Sequence, residues 1–579
     1  MSRIAGKGAE GRSDAGSESN TAPGTNEVDG GVVTDEELDD PVAADAGAAV
    51  DTEAPVIASA DAGAQAAEPS TFLQAIPGDT RDYPPEAIPS NGLGFVFTDV
   101  TQAAGLAAPH WQIPDSFDHY PCNHALYAAA GAAAVDINAD GWTDIFVTRL
   151  EQPNLLYLNN GDGTFRDVAP LLRLNVTRWS SSPAFADVDG DSDLDLFVTT
   201  AGPAKAMLFI NHGDKFVEEA ALRGVNVGRT DACSELTSAS FGDYDHDGAL
   251  DLFIGHWTSN EGNFNYLFKN DGTGHFSNVT LTAGLGSLEP RGYSSGFMDA
   301  DDDGWEDLFV VADFWNSRLF HNNQDGTFTD MTDTAGVAVE EDGMGSALGD
   351  VNGDGYPDWF VSNVDEPGVT VGNRLYINRG DGTFDDESTT YGVTQGGWGW
   401  GAQLFDINND GHLDASNVGG WINQDQVPAL WLGGRGLPWQ KVTAPTGLDR
   451  LMNGRAYVPL DFDRDGDLDL FVANNGATPV LFRNDGASHR HWLVVKAAGQ
   501  GSNVSGIGAR VTLQHPDGRT QYRWITANNN FMGHGPFEAH FGLGDDAGPF
   551  TVSVSWPASG KTATHGRVPP DQVITLEEP

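Results

Sequence analysis

Nine residues recur seven times in this chain with oxygen side chains at fixed positions. The pattern is Asp-x-Asp/Asn-x-Asp-x-x-x-Asp. The first two copies place Asp136, Asn138, Asp140 and Asp144, then Asp187, Asp189, Asp191 and Asp195. The third and fourth place Asp243, Asp245, Asp247 and Asp251, then Asp299, Asp301, Asp303 and Asp307. The fifth and sixth place Asp350, Asn352, Asp354 and Asp358, then Asp406, Asn408, Asp410 and Asp414. The seventh places Asp461, Asp463, Asp465 and Asp469. Of these 28 positions, 25 are Asp and 3 are Asn. A backbone carbonyl at position 7 joins the four side chains. So many hard oxygens suit Ca²⁺, which takes 6–8 of them at about 2.3–2.6 Å. Mg²⁺ is the runner-up, disfavoured because it demands near-ideal octahedral geometry. Asx-rich turns alone would leave three or four like charges close together, which is destabilising unless a cation neutralises them. Seven such copies favour the cation, and about seven Ca²⁺ are expected.

The residues around each acidic loop say what positions it. The loops start 51, 56, 56, 51, 56 and 55 residues apart, which is the signature of a repeat. Position 9 leads straight into an apolar run such as DLFV, so the loop joins two strands and is not an EF-hand. A third strand follows, such as RLFHN or RLYIN. A Gly-Asp-Gly turn then leads to a fourth strand beginning at Phe165, Phe328 or Phe384, with weaker copies ending at Phe216, Phe276 and Trp439. Four short strands per unit make a propeller blade, and seven units make seven blades. The seventh unit lacks a Phe-led fourth strand, while an orphan one, FVFTDVTQAAGL, precedes the first. The simplest closure has that segment complete the last blade and remove a free sheet edge.

The predicted fold class is all-β: a seven-bladed β-propeller, a small β-sandwich-like domain and a disordered N-terminal tail. Residues 1–90 hold 18 acids and 4 bases with few aromatics, a composition that does not bury enough surface to fold. Residues 91–486 form the propeller. Residues 487–579 hold 7 acids and 7 bases and read as short alternating strands such as ARVTLQ and TVSVSW. Since the whole chain carries −54, the propeller carries −40. This charge argues against nucleic acid and anionic membrane surfaces as partners. No apolar run is long enough for a membrane helix. The opening MSRIAGKGAEGRSD has no apolar core of a secretory signal. It begins either an exported protein whose start lies upstream or a solubilising linker of a cytoplasmic one. Scarce cytosolic calcium favours export, making the protein secreted, periplasmic or held at the cell surface.

The repeats resemble the FG-GAP or VCBS repeats of integrin α-chain propellers. The segment HWLVVKAAGQGSNVSGIGARVTLQHPDGRTQYRWI, with FGLG and VSVSWP after it, resembles the ASPIC/UnbV domain. Together they resemble the cartilage acidic protein family over residues 91–577. The chain departs from that pattern at TANNNFMGHGPFEAH. The resemblance implies a calcium-dependent extracellular interaction protein with no established catalytic role.

In a four-stranded blade the acidic loops lie on one face. The loops joining second to third strands, and fourth to next first, lie on the other. The acidic face is expected to be stiff and strongly hydrated, leaving the far face for a protein or glycan ligand. Candidate residues there are His110, Trp111, His119, His124, Arg178, Trp179, His256, Trp257, Arg291 and Tyr293. Asp313, Trp315, Trp398, Trp400, Trp421, Arg455 and Asn474 complete the set. Trp and Arg in such loops make either a hot-spot or sugar-stacking surface, or wedges between blades. His119, Cys122 and His124 are spaced as a cramped transition-metal set, and Cys122 and Cys233, the chain's two cysteines, either pair or stay free. The alternative function is a polysaccharide- or sugar-active enzyme of lyase or dehydratase type, in which His110, His119, His124, His256 or Arg291 would transfer protons or neutralise a carboxylate. No GxSxG, HExxH or phosphate-loop motif appears. Fold alone does not choose between binding and catalysis.

Overall fold

The computed structural model describes residues 89, 91–111, 127–230, 233–257, 265–287, 291–365, 372–421 and 424–579. The expected tail over 1–90 lies outside them except for Pro89. All described residues fall in one compact unit.

Strand pairing gives seven antiparallel groups of four strands in chain order; the second and third are joined into one nine-stranded sheet, and the first and sixth each carry a fifth strand. Their innermost strands are Ala132–Val135, Thr177–Ala186, Ser234–Gly242, Gly292–Met298, Gly343–Gly349, Gly399–Phe405 and Gly454–Leu460. Each innermost strand lies beside the next, and the seventh lies beside the first, so the ring closes. These strands converge on an axis, which explains their small residues. A Cβ added at Gly131 would sit 1.9 Å from the Ser181 carbonyl, and one at Gly345 would sit 2.1 Å from that of Trp400. The outer ends splay apart, and Phe, Leu and Trp fill the wedges between sheets.

The outermost strand of the seventh sheet comes from the other end of the chain. Val96–Asp99 pairs antiparallel with Val480–Asp485, Val96 opposite Asp485 and Asp99 opposite Phe482. Phe97 from this strand is buried against Phe482, with rings 6.4 Å apart.

A second set of strands builds the C-terminal domain. One sheet holds His491–Ala498 between Ala539–Gly544 and Gln572–Glu577. The other holds Thr520–Trp524, Arg510–Gln514, Phe550–Trp556 and Lys561–Val568. Alternate residues Val511, Leu513, Val552 and Val554 point into a shared core with Leu493, Val495 and Phe541, as two packed faces require.

The stretch that departs from the resemblance has an unexpected place. Between Trp524 and Ala539 the chain leaves the C-terminal domain and enters the axis of the ring. Ala527 bridges Phe241. The Asn528 amide donates to the Ala239 carbonyl at 2.9 Å, and its own carbonyl accepts from the Ser240 hydroxyl at 2.6 Å. The Asn530 side chain accepts from the Ala402 N–H and donates to the Tyr457 carbonyl, both at 2.8 Å. Phe531 is fully buried with its ring 5.0 Å from Trp400 and 5.7 Å from Tyr293. Gly533–His534 then adds a parallel strand to the first sheet, and His534 Nδ1 accepts the Phe185 N–H at 3.2 Å. Burial holds that imidazole's pKa down at about 3, so it stays a neutral acceptor. Short amide side chains suit this plug because the innermost strands offer it free carbonyls and N–H groups, which must be paired once buried.

Two outcomes follow from this architecture. A chain beginning at Asn91 should melt with the full-length protein, whereas one beginning at Gln102 loses the closing strand and should melt earlier and aggregate through the exposed edge; equal melting and solubility of the two would refute the closure. Phe531→Ala should cost about 3–5 kcal/mol and lower ring and C-terminal domain together in one calorimetric transition, since the plug belongs to both. Two separated transitions, with the ring unaffected, would contradict this.

Candidate metal centres

Each acidic loop is shaped by two of its own carboxylates. In all seven, the position 1 carboxylate accepts the N–H of position 6 at 2.7–3.0 Å. Position 6 is left-handed, with φ between 76° and 96°, which explains glycine in six copies and makes Ser192 the strained exception. The position 9 carboxylate faces the other way. One of its oxygens accepts the N–H that ends the third strand, at 2.7–2.8 Å in all seven. In six sheets the other oxygen accepts the N–H of position 2, at 2.8–3.2 Å. In the third sheet that oxygen, Asp251 Oδ2, is buried without a partner.

Asparagines at the ends of third strands tie neighbouring loops together. Asn270, Asn322, Asn378 and Asn484 each donate an amide N–H to the position 2 carbonyl of the preceding loop, at 2.8 Å. Asn159 does the same to Phe462 across the closure, also at 2.8 Å. The second sheet turns its Asn211 amide on its own Leu194 carbonyl, and the sixth has Gly433 in this place.

Burial loads these loops with electrostatic cost. It pushes the carboxyls of Asp144, Asp251, Asp358, Asp414 and Asp469 well above the usual range, with nearby loop carboxylates adding to the rise. Burial also raises Asp195 to about 8, Asp243, Asp299 and Asp406 to about 7, and Asp187 to about 6. Such groups either keep a proton or meet a cation. The donor chemistry fits Ca²⁺: the ligands are hard oxygens, and Asp189 Oδ1, Asp245 Oδ1, Asp301 Oδ1, Asp461 Oδ1 and Asp463 Oδ1 are buried with no hydrogen-bond partner. Four all-carboxylate groups bring three ligand oxygens within 4.8 Å of one another: Asp187, Asp189, Asp195; Asp243, Asp245, Asp251; Asp299, Asp301, Asp303; and Asp461, Asp463, Asp465. A bound ion would supply the positive charge that these carboxylates otherwise take from protons.

The residue before each third-strand end differs between sheets in a way the repeat pattern hid. It is Leu158, Ile210, Ile377 or Leu432 in four sheets, but Lys269, His321 and Arg483 in the third, fourth and seventh. Lys269 Nζ pairs with Asp245 and, at 2.9 Å, with Asp247. His321 lies against Asp301 and Asp307.

The acidic face is not left to water. The C-terminal domain stands on it and reads the loop backbones. Arg510 donates to Asp302 at 2.8 Å and to the Gly355 carbonyl at 2.7 Å. Arg490 donates to the Asn408 carbonyl at 2.7 Å, and Ser502 to that of Gly248 at 2.7 Å. The Gly466 carbonyl lies 3.0 Å from His540 Nε2. A Cβ at Gly542 would fall 2.1 Å from Asp406 Oδ2, so only glycine passes there. The expected hydrated face is thus largely an interface, made possible because the domain is neutral overall and directs its arginines at carbonyls and carboxylates.

On the far face the candidate residues divide by exposure. His110, Trp111, His256, Tyr293, Asp313, Trp400, Arg455 and Asn474 are buried. Trp179, Trp257, Arg291, Trp398 and Trp421 are half-buried, while Arg178 and Trp315 are exposed. Trp400, Trp421 and Trp398 form one parallel stack, at 5.9 and 4.9 Å between rings. Arg291 lies over Trp257 and Phe314, and the Trp257 indole donates to Asp313 at 3.0 Å. Phe314 and Trp315, 39% and 55% exposed, are consecutive left-handed residues, an arrangement that aromatic residues rarely hold. His119, Cys122 and His124 lie outside the described residues; Cys233 is disulfide-bonded.

Comparison with known proteins matches residues 136–198, 189–254, 243–310, 299–361 and 363–415 to the FG-GAP-like repeat, and 499–579 to the ASPIC and UnbV domain. Cartilage acidic protein 1 of Mus musculus is 25% identical over 508 residues, covering 80% of this chain and 74% of its own. That of Xenopus tropicalis is 25% identical over 521 residues, covering 78% and 73%, and that of Homo sapiens 29% over 264, covering 43% and 38%.

The raised carboxyl pKa values carry a sign for stability. Folded, these groups bind protons that the unfolded chain, near 3.9, has already released. Stability of the chelated chain should therefore fall as pH rises from about 4 through about 8. Saturating calcium should remove that slope, release protons on binding, and add about 2.7 kcal/mol per site at a hundredfold excess over Kd. Melting in chelator and in calcium at pH 5 and pH 8 tests this; a chelated chain that gains stability toward pH 8 would contradict it.

Proposed function

Because this chain is an FG-GAP-like repeat protein with a C-terminal ASPIC and UnbV domain, homologous to cartilage acidic protein 1, we propose that it is a calcium-loaded extracellular interaction protein. In this reading Ca²⁺ sits in the acidic loops, stiffens the ring and neutralises its surface, and the far face binds a protein or glycan. The supporting observation is the division of the ring's two faces. The C-terminal domain occupies the acidic one, while the other keeps Trp315, Phe314 and Arg178 in solvent. Aromatic and Arg side chains anchor partners well, because they carry large area with little hydration to lose. The formal charge of −54 disfavours nucleic acid, and among the described residues no helix is long and apolar enough to cross a membrane. In this reading the protein is secreted, periplasmic or surface-held, where calcium is plentiful enough to fill sites of modest affinity.

Binding is favoured over catalysis on this face. His110 and His256, candidates for proton transfer, are 3% and 0% exposed. Burial, with help from Arg149 and Arg455, lowers the His110 pKa to about 3.

Trp315→Ala should weaken retention of the calcium-loaded chain by about 2 kcal/mol, the hot-spot scale, on whichever member of a panel of immobilised glycans and matrix proteins retains it. Calcium stoichiometry should not change. Asp303→Asn should do the reverse, weakening one calcium site and leaving retention nearly intact. A Trp315→Ala chain that binds normally but melts early would assign the side chain to packing and sink the proposed face.

A further inference from the structure

The seven loops are not chemically equal. Each is flanked by the residue preceding the third-strand end, and in the third and fourth sheets that side chain reaches loop carboxylates at positions 3 and 5 or 3 and 9. Four sheets place Leu158, Ile210, Ile377 and Leu432 there, and two place Lys269 and Arg483, cations with no lone pair to share at neutral pH. The fourth sheet alone offers a ligand. His321 Nδ1 lies 3.2 Å from Asp307 Oδ1 and 3.4 Å from Asp301 Oδ2. Together the three residues form the one candidate metal group among the described residues that contains nitrogen.

We propose that the fourth acidic loop is a mixed nitrogen–oxygen centre that takes Zn²⁺, or a transition ion of its class, in preference to Ca²⁺. The proposal rests on the reading that the acidic loops hold cations, and it changes which cation one of them holds. The argument is the donor set. Imidazole suits zinc, copper and nickel, whereas carboxylate, carbonyl and water suit calcium and magnesium. Tetrahedral zinc bound at 2.0–2.2 Å sets neighbouring ligand atoms roughly 3.3–3.6 Å apart, close to the two imidazole–carboxylate distances here.

The surroundings hold the donors in place. Asp307 is 2% exposed, and its two oxygens accept the N–H groups of Asn322 at 2.8 Å and Ala300 at 3.0 Å, so the carboxylate cannot swing away. Such outer hydrogen bonds orient metal ligands. Asp301 Oδ1 is buried with no partner. The His321 side chain is 33% exposed, which leaves an entry path from solvent. His321 pairs with Thr329 across the strand, so its backbone is fixed in the sheet. Metal uptake would exchange the imidazole's proton for the ion.

The test uses the full chain saturated with calcium. Zn²⁺ is titrated in, with bound calcium and zinc measured after dialysis, and Co²⁺ is used in parallel because its visible absorption reports nitrogen ligation. The expected result is one equivalent of zinc bound at least tenfold more tightly by the wild type than by His321→Leu, with one calcium displaced. Leucine already stands at this place in the first sheet as Leu158, so the variant matches the repeat. Ile377→His should add a second zinc equivalent in the fifth loop, and it decides the matter if His321→Leu fails to fold. Equal zinc uptake by wild type and His321→Leu, with no gain in Ile377→His, would overturn the proposal and leave His321 in a plain imidazolium–carboxylate pair. A chain that binds calcium but shows no zinc difference would sink this inference alone. A zinc difference in a chain that binds no calcium would uphold it and sink the calcium reading.

Discussion

The structure depends on a carboxylate buried at the ninth position of each acidic loop. In six of the seven sheets that side chain joins three pieces of backbone that sequence separates: the start of its own loop, the second strand it begins, and the end of the third strand. In five of the six sheets where asparagine closes the third strand, a further hydrogen bond crosses to the preceding sheet. Five such asparagines, with the link from Asn159 to Phe462 spanning the closure, make a nearly continuous belt of hydrogen bonds around one face. The belt requires ionised or shared-proton carboxylates in a nearly dry setting. Acid so placed either keeps a proton or meets a cation, and in the second, third, fourth and seventh loops carboxylate oxygens without partners could receive one.

The ring's second constraint is its axis. Small innermost residues let seven strands converge but leave a channel lined by main-chain polar groups. In this chain the plug from the C-terminal domain satisfies them. Asn528, Asn530 and His534 fill hydrogen-bonding vacancies in the first, second, third, sixth and seventh sheets, while Phe531 supplies apolar volume at the tip. The domain is therefore held twice, by Arg510 and Arg490 on the loops and by the plug in the axis.

Much of the ring was legible in the sequence because its signals are local and repeated. The acidic string, the LFV run after it and the Gly-Asp-Gly turn each set one step of a four-stranded unit. The unpaired segment at Phe95 announced the strand that completes the seventh sheet. What stayed hidden was non-local. No periodicity says that a neutral domain will stand on an acidic face, and TANNNFMGHGPF reads as a loop because asparagine and glycine favour turns; only the channel gives those amides their partners. Asn159, Asn270, Asn322, Asn378 and Asn484 were visible in the repeat, but their reach to the preceding sheet was not. Trp400 and Arg455 stood among the far-face candidates with both a surface and a packing reading open; both lie in innermost strands, and the Arg455 guanidinium lies 4.3 Å over the Trp400 ring in full burial.

The two faces are mechanically connected. Phe531 meets Trp400 from within the axis, Trp400 stacks on Trp421, and Trp421 stacks on Trp398 toward the far face. Tyr293 likewise touches Phe531 on one side and Trp257 on the other. The floor of the far face is thus built on the tip of a plug whose parent domain rests on the acidic loops. Coupling between sites needs a physical element that both sites bias. Under the proposed function the seated plug would be that element: cations that order the loops would favour seating, and a seated plug would hold the tryptophans that a ligand meets. By linkage, a ligand that requires the ordered floor must in turn tighten the hold of the loops on their cations.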